Sequence, residues 1–170
     1  VLVQAKDLMA ELGVHVEANS SEASAAAMLG ASINYPIRGA VTWKSIVGTN
    51  VASDALSNLA SPGVKGGAMI VSGEDTGGGS IVIQERTNAV AMKSSIWLLD
   101  PRRNLQSMGD MVENGFQLSE ATNNPVILGL RIRACHMQGE FNTKNNKKSL
   151  INTIDKADSP AIFDYDKLAH

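Results

Sequence analysis

Three short apolar runs, Ala68-Met-Ile-Val71, Ser95-Ile-Trp-Leu-Leu99 and Pro125-Val-Ile-Leu-Gly-Leu130, constrain the fold of this chain more than any other feature. The first is continuous rather than alternating, the mark of a strand covered on both faces, and the second reads as another buried strand; strands of that kind belong to parallel sheets sandwiched between helices. Helical spacing fills the stretches between the runs. Strands alternating with helices predict an α/β architecture with a mostly parallel sheet flanked by helices. With 170 residues, 44% of them hydrophobic, the chain is long enough to bury one core.

Reading along the chain, residues 3–12 have helical spacing and Val14-His-Val-Glu17 is a short strand candidate. Residues 19–32 read as helix, 39–43 as strand, and 46–59 as a helix stopped by Pro62-Gly63. A glycine-rich loop, Ser72-Gly-Glu-Asp-Thr-Gly-Gly-Gly-Ser80, follows the first apolar run, and a helix is expected over 84–93. Leu105, Met108, Val112 and Phe116 mark one face of a helix reaching about Glu120, and the last strand runs to Arg133. The α/β domain is expected to occupy 1–141, and the polar stretch 142–170, with Lys144, Lys147 and Lys148 among asparagines, to be a linker or arm.

A net charge of −2 offers no basic field for nucleic acid. The single cysteine, Cys135, excludes an internal disulfide and a Cys-x-x-Cys metal or cluster site. Cys135 with its neighbour His136 reads as a strand-end packing pair. His15, His136 and His170 are too dispersed in sequence to suggest a metal site. No uncharged apolar stretch approaches the roughly 18 to 20 residues that span a bilayer. A soluble, cytoplasmic protein with no membrane partner is the expectation.

In a parallel sheet, ligands bind beyond the carboxyl ends of the strands, so the loops there are read for chemistry. Glu22 is the only ionisable side chain between Ala18 and Ile37, and it opens a run of small residues, Ala23 to Gly30. Two readings of it compete. In one, Asn19 is a helix N-cap and Glu22 completes a capping box from the third helical position. In the other, Glu22 is a functional carboxylate held at a strand-to-helix junction against a partner surface. The 72–80 loop can turn glycine amides toward an anion, but it lacks the lysine of a P-loop and the spacing of a dinucleotide fingerprint. Glu74 and Asp75 also make it a poor anion trap. Lys44, after Trp43 at a strand end, is a candidate ligand for a carboxylate or phosphate. No Gly-x-Ser-x-Gly elbow is present, which disfavours a hydrolase triad.

The block Thr42-Trp-Lys-Ser-Ile-Val-Gly-Thr-Asn-Val-Ala-Ser-Asp-Ala-Leu56, with Pro62-Gly-Val-Lys-Gly-Gly67 and Gly73-Glu-Asp-Thr-Gly77, resembles the first thiamine domain of indolepyruvate:ferredoxin oxidoreductase alpha subunits. Gln84-Glu-Arg86 and the stretch from Phe116-Gln-Leu-Ser-Glu120 to Pro125-Val-Ile-Leu128 extend the similarity over about residues 10–140. The resemblance implies a thiamine-diphosphate pyrimidine-binding domain, incomplete here, from an enzyme that decarboxylates a 2-oxoacid oxidatively to an acyl-CoA and reduces ferredoxin. It implies that Glu22 exchanges a proton with N1′ of the aminopyrimidine, promoting loss of the C2 proton of the thiazolium; Glu17 is the alternative register.

The resemblance also assigns cofactor binding to Trp43, Lys44, Gly48 and Asn50, and a substrate-side loop to Gly73, Glu74, Asp75 and Gly77. No metal ligand is assigned to this chain. Mg²⁺, the diphosphate grip and [4Fe-4S] clusters are expected in regions outside it, so the chain is expected to be a fragment that is inactive alone. The other thiamine domain or protomer is the expected partner, with the uncharged helix at 22–36 as contact surface and a beta subunit as a further candidate. A non-oxidative thiamine enzyme such as a 2-oxoacid decarboxylase, and a non-catalytic assembly module, are the rival readings.

Overall fold

A computed structural model describes residues 2–74 and 87–145. They fall into two units, the first holding the described residues up to 19 and from 143 on, the second residues 20–142. In the first, α1 (Lys6–Glu11) matches the expected N-terminal helix. Residues 14–17 are not a strand. A strand is held by ladder bonds to a neighbour, and no described strand pairs with this segment. Instead Val14 is exposed and the His15 ring nitrogen Nε2 meets Glu17 Oε2 at 3.2 Å.

The second unit carries the expected α/β fold. Its elements are α2 (Glu22–Leu29), α3 (Ala31–Asn34), β1 (Gly39–Lys44), α4 (Ser45–Val51), α5 (Ser53–Ala60) and β2 (Ala68–Glu74). These are followed by α6 (Thr87–Ser94), β3 (Trp97–Leu99), α7 (Leu105–Thr122), β4 (Val126–Arg131) and α8 (Ile132–Cys135). The four strands among the described residues form one parallel sheet in the order β1-β2-β4-β3. All carboxyl ends therefore emerge on one side.

Period-two alternation divides the strand side chains between two helical layers. Ile70, Ile127, Val41 and Trp43 join Ala26, Leu29, Leu56, Leu59 and Ala91 in the core under α2, α5 and α6. Met69, Val126 and Leu99 point the other way, against α7, where Gly115 lets them approach: a methyl there would lie 2.6 Å from Met69 Cε. β2 and β4 are thus central and covered on both faces, as the continuous apolar run of β2 predicts. β3 is not: it is the edge strand, and Trp97 is exposed. The last strand also ends earlier than expected, since Ile132 and Arg133 enter α8. Cys135 and His136 consequently lie exposed at a helix end rather than packed at a strand end.

Two local devices shape the ends of these elements. The helix expected over 46–59 divides at Ala52, whose φ and ψ of −85° and 0° leave the α region. Asn104 caps α7 by accepting the Ser107 N–H at 2.9 Å, and Asn123 ends it in the left-handed region at φ 53°.

Below the sheet, Arg38 grips Glu120 with two bonds, Nε to Oε1 at 2.6 Å and Nη2 to Oε2 at 2.9 Å, and lies 5.3 Å from the Phe116 ring centre. The hydrogen bonds from Arg38 hold the Glu120 carboxyl below its ordinary range. A carboxyl lowered on folding stabilises the fold above its unfolded range and loses that contribution as pH falls through the folded value. Both side chains are more than a third exposed, which screens the pair to about 1 kcal/mol or less. Glu120→Gln is expected to lower the unfolding free energy by about 0.5 to 1 kcal/mol at neutral pH. In urea titrations the gap from wild type should begin closing below about pH 4.5 and vanish in stronger acid.

Candidate functional site

Ser21, not Asn19, is the N-cap of α2: its backbone is extended at φ −147° and ψ 142°, and its Oγ accepts the Ala23 N–H at 3.2 Å. Glu22 is consequently the first helical residue. A capping box needs its acidic partner at the third position, so the capping-box reading of Asn19 and Glu22 is corrected. Glu22 is half-buried as a residue, and its carboxylate takes no hydrogen bond or ion pair from the described residues. Capping is done by the neighbouring serine.

The direction of α2 follows from its contacts. Leu29, in its last turn, crowds Gly39 at the start of β1, where a methyl would meet Leu29 Cδ1 at 2.7 Å. The same helix also packs on α4, which begins where β1 ends. Its N-terminus therefore points toward the carboxyl ends of the strands. Apart from Glu22 the helix carries no charge, and it is not wrapped on all sides within the chain: Ser24, Ala27 and Met28 are exposed. On α4, which also has no charged residue, Val47 and Val51 are exposed.

The four residues assigned to the cofactor separate into two kinds. Trp43 is buried at 9% exposure, and its indole N–H donates to Thr49 Oγ1 at 3.2 Å. Gly48 lies against the same ring: a methyl on it would sit 2.4 Å from Trp43 Cγ. Both belong to the packing of β1 against α4. Lys44, at the carboxyl end of β1, and Asn50, on α4, are exposed.

At the end of β2, Gly73 pairs with Lys44. Among the described residues, a methyl there would meet Cys135 Sγ at 3.8 Å and the Trp43 carbonyl oxygen at 3.9 Å, both ordinary contacts. Glu74 is half-buried, and its Oε1 accepts the Thr87 N–H at 2.9 Å. A carboxylate at the start of α6 is well placed for the helix dipole, and this position ties the end of β2 to that helix. Asp75 and Gly77 lie outside the described residues. Further along the rim, Asp100 binds Arg131 through Arg131 Nε at 3.1 Å and a second contact from Nη2.

Ser45 is a residue that sequence reasoning missed. It opens α4 directly after the last residue of β1, is 3% exposed, and its Oγ is buried without a partner among the described residues. No motif announces it, because an orphaned hydroxyl is a property of packing alone.

No protein-family model matches the chain. Among curated proteins it is similar to the indolepyruvate oxidoreductase subunit IorA of Pyrococcus abyssi, 32% identical over 128 residues, which is 75% of this chain and 19% of that subunit. The subunit of the same name from Methanothermobacter marburgensis is 30% identical over 127 residues, 75% of this chain and 20% of that subunit. The chain thus spans about a fifth of the length of the curated relatives it matches. Its parallel sheet and the similarity over three quarters of its residues place the chain in the family of indolepyruvate oxidoreductase IorA subunits.

Proposed function

We propose that this chain contributes the pyrimidine-side half of the active site of a thiamine-diphosphate-dependent 2-oxoacid oxidoreductase acting on an indolepyruvate-like arylpyruvate. The observation that carries the reading is Glu22: a half-buried glutamate that opens α2, at the helix end that faces the carboxyl ends of the strands, and is relieved of capping by Ser21. That is a suitable donor set for the pyrimidine half of the cofactor, which needs one carboxylate held against a ring nitrogen. The relatives' name, indolepyruvate oxidoreductase subunit, supports the substrate class.

Thiamine diphosphate, when bound, supplies the electron sink for decarboxylation. The chain's own part is narrower. Glu22 holds and passes one proton at a carboxylate oxygen. The exposed Met28, Val47 and Val51 supply an apolar face for a covering domain, since uncharged surface is what an interface core prefers. Trp43 and Gly48 set the position of α4 behind the site, while Lys44, Asn50 and Gly73 stand on its rim. Diphosphate and Mg²⁺ fall to the partner domain in this reading, acyl-CoA is the product, and ferredoxin takes the electrons in a cytoplasmic enzyme.

The test is an assay of the full-length subunit assembled with its partner. Indolepyruvate is expected to reduce a low-potential acceptor only when thiamine diphosphate and CoA are both present. Release of CO₂ and aldehyde without acceptor reduction would assign the non-oxidative chemistry instead. Absence of any thiamine-diphosphate-dependent heat stabilisation would leave an assembly module.

A further inference from the structure

At the amino ends of β3 and β4, across the sheet from the candidate site, the second unit presents an apolar surface. β3 is an edge strand with no described strand beyond it, and from Ser94 to Leu99 the chain has neither a charge nor a proline. Open strand edges are templates for further pairing, and proteins guard them with charged side chains, prolines or bulges. This edge is unguarded. Beside it lies a groove of about 320 Å³ between α6 and β3. The buried Ala91 and Ile96 form its floor, and Met92 and Trp97, 81% and 49% exposed, stand at its sides. Strand periodicity puts apolar ground on both faces of the edge. Trp97, whose indole N–H donates to Thr122 Oγ1 at 3.2 Å, lies on the α7 side, and Leu98 packs on the side of the core under α6.

We propose that the outer edge of β3 and this groove are a docking site for an extended segment of the same subunit, added as a strand whose alternate apolar side chains enter the groove beside Met92. In such strand addition, main-chain bonds to the edge give affinity and pockets for every second side chain give specificity. The proposal rests on the family membership and on the edge itself, and is independent of the thiamine reading. Size identifies the occupant. An edge of three residues is about 10 Å long. Stable association of separate chains takes about 800 Å² from each partner, more than this edge and its groove can present. A tethered segment escapes that requirement, because a short flexible tether holds it at an effective concentration of about millimolar. The curated relatives supply the tether: the stretch matched by this chain is about a fifth of their length.

The experiment places the photoreactive p-benzoylphenylalanine at position 92 of the full-length subunit, assembled with its partner. The exposure of Met92 lets the fold accept the larger side chain. Irradiation and mass-spectrometric peptide mapping are expected to show an intrachain cross-link from position 92 to a segment of the subunit outside residues 1–170. Met92→Asp, which puts a charge beside the groove without touching a buried residue, is expected to release that segment. Deuterium exchange of the 97–99 amides should then be about 10-fold faster in the variant than in wild type, as protection lost by local opening. Exchange in β2, over 68–74, should be the same in both, which separates undocking from loss of the fold. A cross-link to a second copy, to the partner subunit or to residues within 1–170 would overturn the proposal. So would the absence of any cross-link, or equal exchange at 97–99 in wild type and variant.

Discussion

Glu22→Gln in the full-length enzyme is expected to lower kcat for oxidative decarboxylation by about 10³-fold, in the range that proton transfer by a positioned side chain contributes. Glutamine keeps the size and the hydrogen-bonding reach of glutamate but neither carries the charge nor gives up a proton at neutral pH. The fold should barely respond. Ser21 performs the capping, so the substitution removes only the favourable interaction of a first-turn carboxylate with the helix dipole, about 0.5 kcal/mol. The result to obtain is a split: kcat collapses while the urea midpoint moves little and thiamine diphosphate is still retained. A variant that turned over indolepyruvate near the wild-type rate would remove Glu22 from the chemistry and leave Glu17 as the carboxylate to test.

Gly48→Ala is expected to act in the opposite way, on the fold before the chemistry. The added methyl would lie 2.4, 2.5 and 2.7 Å from Trp43 Cγ, Cδ1 and Cβ. That ring is 9% exposed and anchored by its bond to Thr49, so it is poorly able to swing aside. Overpacking of this kind costs about 1 to 3 kcal/mol. Alanine returns up to about 1 kcal/mol of helix propensity, which is the smaller effect. A net loss near 2 kcal/mol in the unfolding free energy follows, measurable as a lower urea midpoint. Unchanged stability would mean that Gly48 is there to admit a ligand rather than the indole.

These two expectations depend on different levels of information. The strands β2 and β4 were readable because an uninterrupted apolar run has few alternatives in a chain of this length, and the alternation of strands with helices left parallel pairing as the economical solution. α7 was equally legible from the spacing of Leu105, Met108, Val112 and Phe116. The segment at 14–17 shows the limit of such reasoning. Its apolar alternation is that of a strand, yet a strand exists only with a neighbour to complete its ladder, and none of the described strands is paired with it.

The site shows the same division more sharply. Asn19, Ser20 and Ser21 are all acceptable caps by residue type; which of them begins the helix is set by where the backbone turns, and that choice moves Glu22 from the third helical position to the first. Glu74 looked like a loop carboxylate because its partner, the Thr87 N–H, is 13 residues away. The resemblance assigned Trp43 and Gly48 to cofactor binding, but their contact with each other depends on α4 folding back over β1.

Residue types and their periodicity alone were enough to establish a parallel α/β sheet, an uncharged helix headed by a lone glutamate, and the family resemblance of the 42–67 block. Those properties are local or repetitive, and short-range sterics and burial of apolar surface decide them. Tertiary structure alone released Glu22 from the cap, buried Trp43 on Gly48 and left Ser45 without a partner among the described residues. Each of those is settled by which groups are near one another after long-range packing, and hydrogen-bond satisfaction is a property of that packing rather than of any residue's identity.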